Sequence, residues 1–251
     1  MFKPFHLRSV WIAGRFLSRL PFPDPGSTTA PEIGHSVVWY PLIGLLLGAV
    51  SASTAWLLTG SDTGVAAALV LMAWVWATGG LHLDGIADSA DGWVGGLGSR
   101  ERTLEIMKDP RCGAMGVTVI GLVLIAKFAG LQALLAQGDG WLLLWLPLLA
   151  RVQLNLLLLT TPYARTQGMA YAQAHYLPRR TVWLTSGLIA ASVGGILGAL
   201  GAALLLTMLI VLVLARRTML ARLNGFTGDT AGALIEVTET ALLIVAVLSS
   251  F

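Results

Sequence analysis

The chain has little charge and almost no cysteine. Asp, Glu, Lys and Arg make up 12% of its 251 residues, 56% are hydrophobic, and the mean hydropathy is +0.77. So small a polar fraction does not cover a water-soluble globule, and the composition reads as a polytopic membrane protein. The single cysteine, Cys112, excludes an internal disulfide and any CxxC-type metal centre. There is no GxxxxGK[ST] loop and no glycine motif behind a strand-like run, which removes the grounds for an ATPase or a Rossmann nucleotide site. No internal repeat of the kind that marks many transporters is visible. The net charge is +3. In a membrane chain such an excess records topology, so no nucleic-acid partner is expected.

Long apolar runs are what the chain has instead. Residues 37–59, 63–81, 115–136 and 141–160 each approach the roughly 20 residues needed to cross a hydrocarbon core. Residues 182–215 would measure about 51 Å as one helix, too long for one crossing, and the run GGILGALG from Gly194 to Gly201 is the expected break. A last span runs from Ala231 to Ser250. The expected fold is all-α: a single membrane-embedded domain of about seven transmembrane helices. Ahead of them, Arg8, Arg15 and Arg19 fall on one side of a helical wheel. Leu7, Val10, Ala13, Phe16, Leu17 and Leu20 fall on the other, the pattern of an amphipathic helix in the membrane interface. The arginines also break any apolar core that would make residues 1–20 a secretory signal. Pro21, Pro23, Pro25 and Pro31 make residues 21–32 a turn or loop.

All of the 16 Lys and Arg residues except Lys127 and Arg151 lie in the N-terminal segment or in three polar loops, residues 82–114, 161–181 and 216–230. By the positive-inside rule, the N-terminus and all three loops are cytoplasmic. Lys127 and Arg151 lie inside spans, where a charge is expensive unless it meets a partner or water. Glu236 and Glu239, in the last span, are the candidate partners.

The first loop opens with GGLHLDGIADSADGW, Gly79 to Trp93. On a helix, Asp84, Asp88 and Asp91 share one face. Such a stripe is either a solvated acidic face or a site for a hard cation, and an oxygen-only carboxylate set suits Mg²⁺, Mn²⁺ or Ca²⁺. Next comes SRERTLEIMKDPRCGAMGV, Ser99 to Val117, where Lys108 and Arg111 flank Asp109 and Pro110 just before Gly113 and Gly116 open a span. Amides at a helix start with basic residues nearby would hold a phosphate, although the same residues also serve simply to fix topology. The third cluster is NGFTGDTAGALIEVTE, Asn224 to Glu239, in which Asp229 and Glu236 share a face and Gly232 between them allows close helix approach. Glu236 is either a functional acid or a structural partner of Lys127 or Arg151. Metal-bound carboxylates with basic residues are what phosphoryl transfer requires.

These three motifs, in this order and spacing, and PLIGLLLG from Pro41 to Gly48, resemble the adenosylcobinamide-GDP ribazoletransferase (cobalamin synthase) family over most of the chain. The resemblance implies a Mg²⁺-dependent integral enzyme of the bacterial inner membrane. Such an enzyme joins adenosylcobinamide-GDP to α-ribazole, or to α-ribazole 5′-phosphate, and releases GMP. Its partners would be these small molecules and the lipid bilayer, with a homo-oligomer left open. Asp84 and Asp88 are the expected metal ligands, Asp91 a third ligand or the base, and Asp229 a completing ligand, with Asp109 and Glu236 in second place. Lys108 and Arg111 are the expected phosphate contacts. His82 either accepts the nucleophile's proton or only makes a hydrogen bond. The aspartate run is also similar to CDP-alcohol phosphotransferases, but this sequence lacks their AR pair and closing aspartates, so their general base is not carried over. A CDP-alcohol phosphotransferase of phospholipid synthesis is the alternative enzyme. A transporter whose path is lined by Lys127, Arg151, Glu236 and Glu239 is the non-enzyme alternative.

Overall fold

The computed structural model describes residues 7–249, so the first six residues of the N-terminal segment, residue 250 at the end of the last expected span, and residue 251 lie outside the described residues. The chain forms α1 (Leu7–Leu17), α2 (Ala30–Ser36), α3 (Tyr40–Leu57), α4 (Thr63–Thr78), α5 (Leu81–Gly95) and α6 (Arg100–Ile106). It continues with α7 (Ala114–Ala136), α8 (Trp145–Thr160), α9 (Met169–His175), α10 (Arg179–Leu223) and α11 (Gly228–Leu248). Among the described residues there is no strand, only an isolated bridge between Tyr163 and Phe226.

Five stretches are long and apolar enough to cross a membrane, or six if α4 and α5 count as one bent span. The expected seven is not reached on that count, because residues 179–223 pass as one element. That element is not a straight rod. Gly198 adopts φ 55 and ψ −125, and a Cβ on Gly201 would stand 2.5 Å from the Val193 carbonyl oxygen. A straight helix would separate residues eight apart by about 12 Å along its axis. The glycine run expected to interrupt this stretch therefore does so, at Gly198. Beyond the bend, α10 runs on to Leu223, through residues expected to be loop. Met219 and Leu223 extend its buried stripe, and Asn224 at φ 56 stops it.

The packing uses small residues where backbones must touch. A Cβ on Gly44 would lie 2.4 Å from the Pro147 carbonyl oxygen, and one on Gly48 2.6 Å from that of Leu144. The glycines of PLIGLLLG thus seat α3 directly on the start of α8, the small-xxx-small solution for apolar helices in lipid. α1 forms where the wheel pattern placed it, and part of its apolar face packs against the rest of the protein. Ala13 and Leu17 are buried in the core that holds Tyr40, and Phe16 stacks on Tyr40 with ring centroids 6.1 Å apart. Leu7, on the predicted apolar side, is 71% exposed. Arg8 fastens the helix by donating to the carbonyls of Pro25 and Ser27 and pairing with Glu32 at 3.2 Å.

The charges inside the bundle find each other. Lys127 Nζ donates to Glu236 Oε2 and to Glu239 Oε2, each at 2.7 Å, and Arg151 donates to Glu239 Oε1. Lys127 also lies over the Trp74 ring, 4.7 Å from its centroid. All four charged groups are buried. Two cations and two anions neutralise one another, as removal from water demands. A transporter would need such charges free to meet a solute.

Candidate active site on the aspartate helix

Between α4 and α5 the chain turns through 85°. Gly79 and Gly80 take φ values of 67° and 69°, two left-handed residues in succession that only glycine adopts cheaply. The turn detaches α5 from the direction of the span and lays it against α11. A Cβ on Gly85 would stand 2.7 Å from the Asp229 carbonyl oxygen, so glycine is needed for the two helices to meet. Thr227 caps α11, its Oγ1 accepting from the Thr230 amide at 3.2 Å, and Asp229 follows in the first turn. Asp229 thereby stands beside the acidic face of α5.

A pairing of two loops supplies the cation. The Phe226 amide donates to the Pro162 carbonyl at 2.9 Å and the Ala164 amide to the Phe226 carbonyl at 2.8 Å, with Tyr163 edge-on to Phe226. This sets Arg165 Nη2 at 2.9 Å from Asp229 Oδ2. Burial, then the charges of Asp84, Asp229 and Asp91, push the Asp88 carboxyl up from 3.8 to about 6, with Arg165 opposing. Asp84, Asp88 and Asp229 therefore form a cluster in negative excess with one guanidinium beside it.

The third aspartate of the stripe is used differently. Asp91 Oδ2 accepts from the Gly113 amide at 2.7 Å and Oδ1 from the Gly116 amide at 2.9 Å. The helix-start amides expected to hold a phosphate hold Asp91, whose carboxylate suits the positive end of α7. With each oxygen engaged, Asp91 ties the loop to α5. Lys108 and Arg111 lie beyond that tie, both exposed, beside a shallow pocket shared with Glu101 and Glu105. Arg111 clasps Asp109 through Nε at 2.9 Å and Nη2 at 2.6 Å, which holds the Asp109 carboxyl down at about 2. These three residues collect at the Asp91 end of α5, about 10 Å along the helix from Asp84.

His82 faces inward. Its Nδ1 lies 3.4 Å from Arg151 Nη2. A guanidinium only donates, so Nδ1 accepts and Nε2 carries the proton. Glu236 belongs to the sealed cluster with Lys127. Other basic residues read as topology markers close helix ends: Arg179 donates to the Leu159 carbonyl, Arg216 to that of Thr160 and Arg100 to that of Leu223, while Arg100 also donates to the Ala164 carbonyl in the loop after α8. Arg165 and Gln173, a buried residue of α9, were not singled out by the sequence. Each reaches the site through folding of the 161–181 loop, and nothing local in their neighbourhood signals it.

Among the described residues, no three His, Cys, Asp or Glu side chains form a ready-made cage for a metal ion. An open acidic face is nevertheless compatible with Mg²⁺, which keeps several waters and is usually bound by one or two carboxylates plus substrate phosphates. Fold and face define a multi-pass helical membrane protein with a concentrated acidic site. The cobalamin-5-phosphate synthase family model matches residues 9–247. The chain is 50% identical to the adenosylcobinamide-GDP ribazoletransferase of Pseudomonas aeruginosa strain UCBPP-PA14, over 95% of this chain and 97% of the relative. It is 49% identical to the protein of that name from Ectopseudomonas mendocina strain ymp, over 95% and 98%. For Pseudomonas fluorescens strain Pf0-1 the identity is 46%, over 94% and 97%. No solved structure matches the chain. The chain belongs to the cobalamin-5-phosphate synthase family and is a transferase of cobalamin synthesis.

Proposed function

We propose that the protein joins adenosylcobinamide-GDP to α-ribazole or its 5′-phosphate in the bacterial inner membrane, with α5 and its loops on the cytoplasmic side. The relatives' shared name supports the substrates, and the crowding of basic residues in the loops beside α5 supports the orientation. A ribose hydroxyl of the acceptor other than the 5′ one, which the phosphate of α-ribazole 5′-phosphate occupies, attacks the phosphorus that carries cobinamide. One P–O ester bond forms, the anhydride P–O bond breaks, and GMP leaves with the bonding electron pair. The hydroxyl proton passes to a carboxylate of the cluster.

Asp84, Asp88 and Asp229 would hold Mg²⁺. Bound there, the ion supplies neutralisation of the diphosphate oxygens and of the charge that develops on the leaving group. The observation that carries the reading is the grouping of Asp84, Asp88 and Asp229 on one face with Arg165 as the counter-charge, where burial and then the neighbouring carboxylates raise Asp88. Arg165 orients Asp229 and adds a fixed positive charge at the rim. Asp91 positions the 96–113 loop. Asp84→Asn is expected to lower GMP release by a factor of about 100 or more, with the folded fraction unchanged. Wild-type turnover of that variant at saturating Mg²⁺ would remove the metal assignment.

A further inference from the structure

A cavity of about 160 Å³ opens beside the acidic cluster, between α1, α5, α8, α9 and α11. Asp84 and Asp229 stand among its lining, while Phe16, Leu154, Leu158 and Phe226 make its walls apolar. Two buried polar side chains share this lining, His82 at 2% and Gln173 at 3% exposure. His82 Nε2 and Gln173 Nε2 are both buried without a hydrogen-bond partner. An N–H left unpaired in the interior costs free energy that a bound acceptor restores. Because Arg151 fixes the histidine proton on Nε2, both nitrogens are donors.

We infer that this cavity is the subsite for the base of the nucleoside acceptor: a flat, largely apolar aromatic ring whose nitrogen accepts from His82 Nε2–H, with the Gln173 amide serving a sugar hydroxyl. The inference rests on the transferase reading above and deepens it. A benzimidazole, the base of a ribazole, has the size and the single acceptor nitrogen that the walls and donors call for. Guanine would bury several polar groups that these walls leave unmet, and a corrin is far too large. With the base among the apolar side chains, the sugar lies towards Asp84 and Asp229, which brings its hydroxyl to the cluster. His82 and Gln173 are binding residues in this scheme, and neither exchanges a proton with the substrate.

The test uses the full-length protein in lipid nanodiscs, with benzimidazole as probe in calorimetry and α-ribazole as acceptor in steady-state kinetics. Gln173→Leu, which removes a donor, and Ala170→Phe, which fills the cavity, are each expected to raise the KM for α-ribazole at least tenfold. Both should weaken benzimidazole binding in proportion, with the KM for adenosylcobinamide-GDP and the Mg²⁺ requirement unchanged. Asp84→Asn is expected to retain benzimidazole binding while losing turnover, so failure of the metal reading and failure of the subsite are told apart. An α-ribazole KM within twofold of wild type in folded Gln173→Leu, or a rise in the donor KM instead, overturns the assignment. If Ala170→Phe does not fold, the Gln173→Leu binding measurement decides alone.

Discussion

Two groups of charged side chains lie on α11, seven residues apart along the helix, and they are built to opposite rules. Around Glu236 and Glu239 the chain supplies Lys127 and Arg151, buries all four, and closes each carboxylate on a cation. Around Asp229 it supplies Asp84 and Asp88, leaves Asp84 exposed, and offers Arg165 alone as counter-charge. The first group has no use for anything further. The second keeps a negative excess. Residue type is nearly the same in both, so the mark of the site is its imbalance together with its access to water.

Breaking the balanced group should have the largest effect. Lys127→Met leaves Glu236 buried without its cation and is expected to cost about 3–5 kcal/mol of stability, read as a fall in thermal midpoint in detergent. The double variant Lys127→Met with Glu236→Leu should recover most of that loss. A single variant as stable as wild type would show that the buried group is not self-sufficient. The unbalanced group sharpens the contrast through pH. The Asp88 carboxyl is raised, so the stability it contributes is fully present below 3.8 and is lost as the pH rises towards about 6. Without divalent cation, wild type should therefore lose stability across that window relative to Asp88→Asn, and added Mg²⁺ should narrow the gap above pH 6. Parallel pH profiles for the two proteins would contradict the charge excess. The smallest effect belongs to the exposed pair outside both groups. Arg111→Ala is expected to leave folding unmoved and GMP release within about fivefold of wild type, because exposed ion pairs contribute little. A much larger loss would return Arg111 to the phosphate-binding role that its sequence context suggested.

Much of the architecture was legible because apolar length is a strong signal. The runs at 63–81, 115–136 and 141–160 fall on α4, α7 and the stretch through α8, and the glycine run at 194–201 carries the bend at Gly198. The short helices α6 and α9 left no comparable trace. The end of α10 was missed because Arg216 and Arg217 read as loop charges, although both are good helix formers and Met219 and Leu223 continue the buried stripe. In the site, Asp84, Asp88 and Asp229 were legible from spacing and motif. Asp91 satisfied the same spacing and still went elsewhere, since a stripe fixes which way a side chain faces but not which neighbour is there to meet it. Arg165 and Gln173 lay beyond reach because their positions depend on the pairing of residues 162–164 with 226, a contact that no local pattern encodes.

The elbow at Gly79 and Gly80 has a consequence for depth. Had α4 continued straight, Asp91 would stand about 10 Å farther along its axis than Asp84, and in the proposed orientation the carboxylates would sample a graded dielectric from headgroup to water. Turned through 85°, α5 carries them sideways at nearly one level. In the proposed orientation they share a single ionic atmosphere, and a large hydrophilic substrate could approach them along the membrane plane without any part of it entering the hydrocarbon.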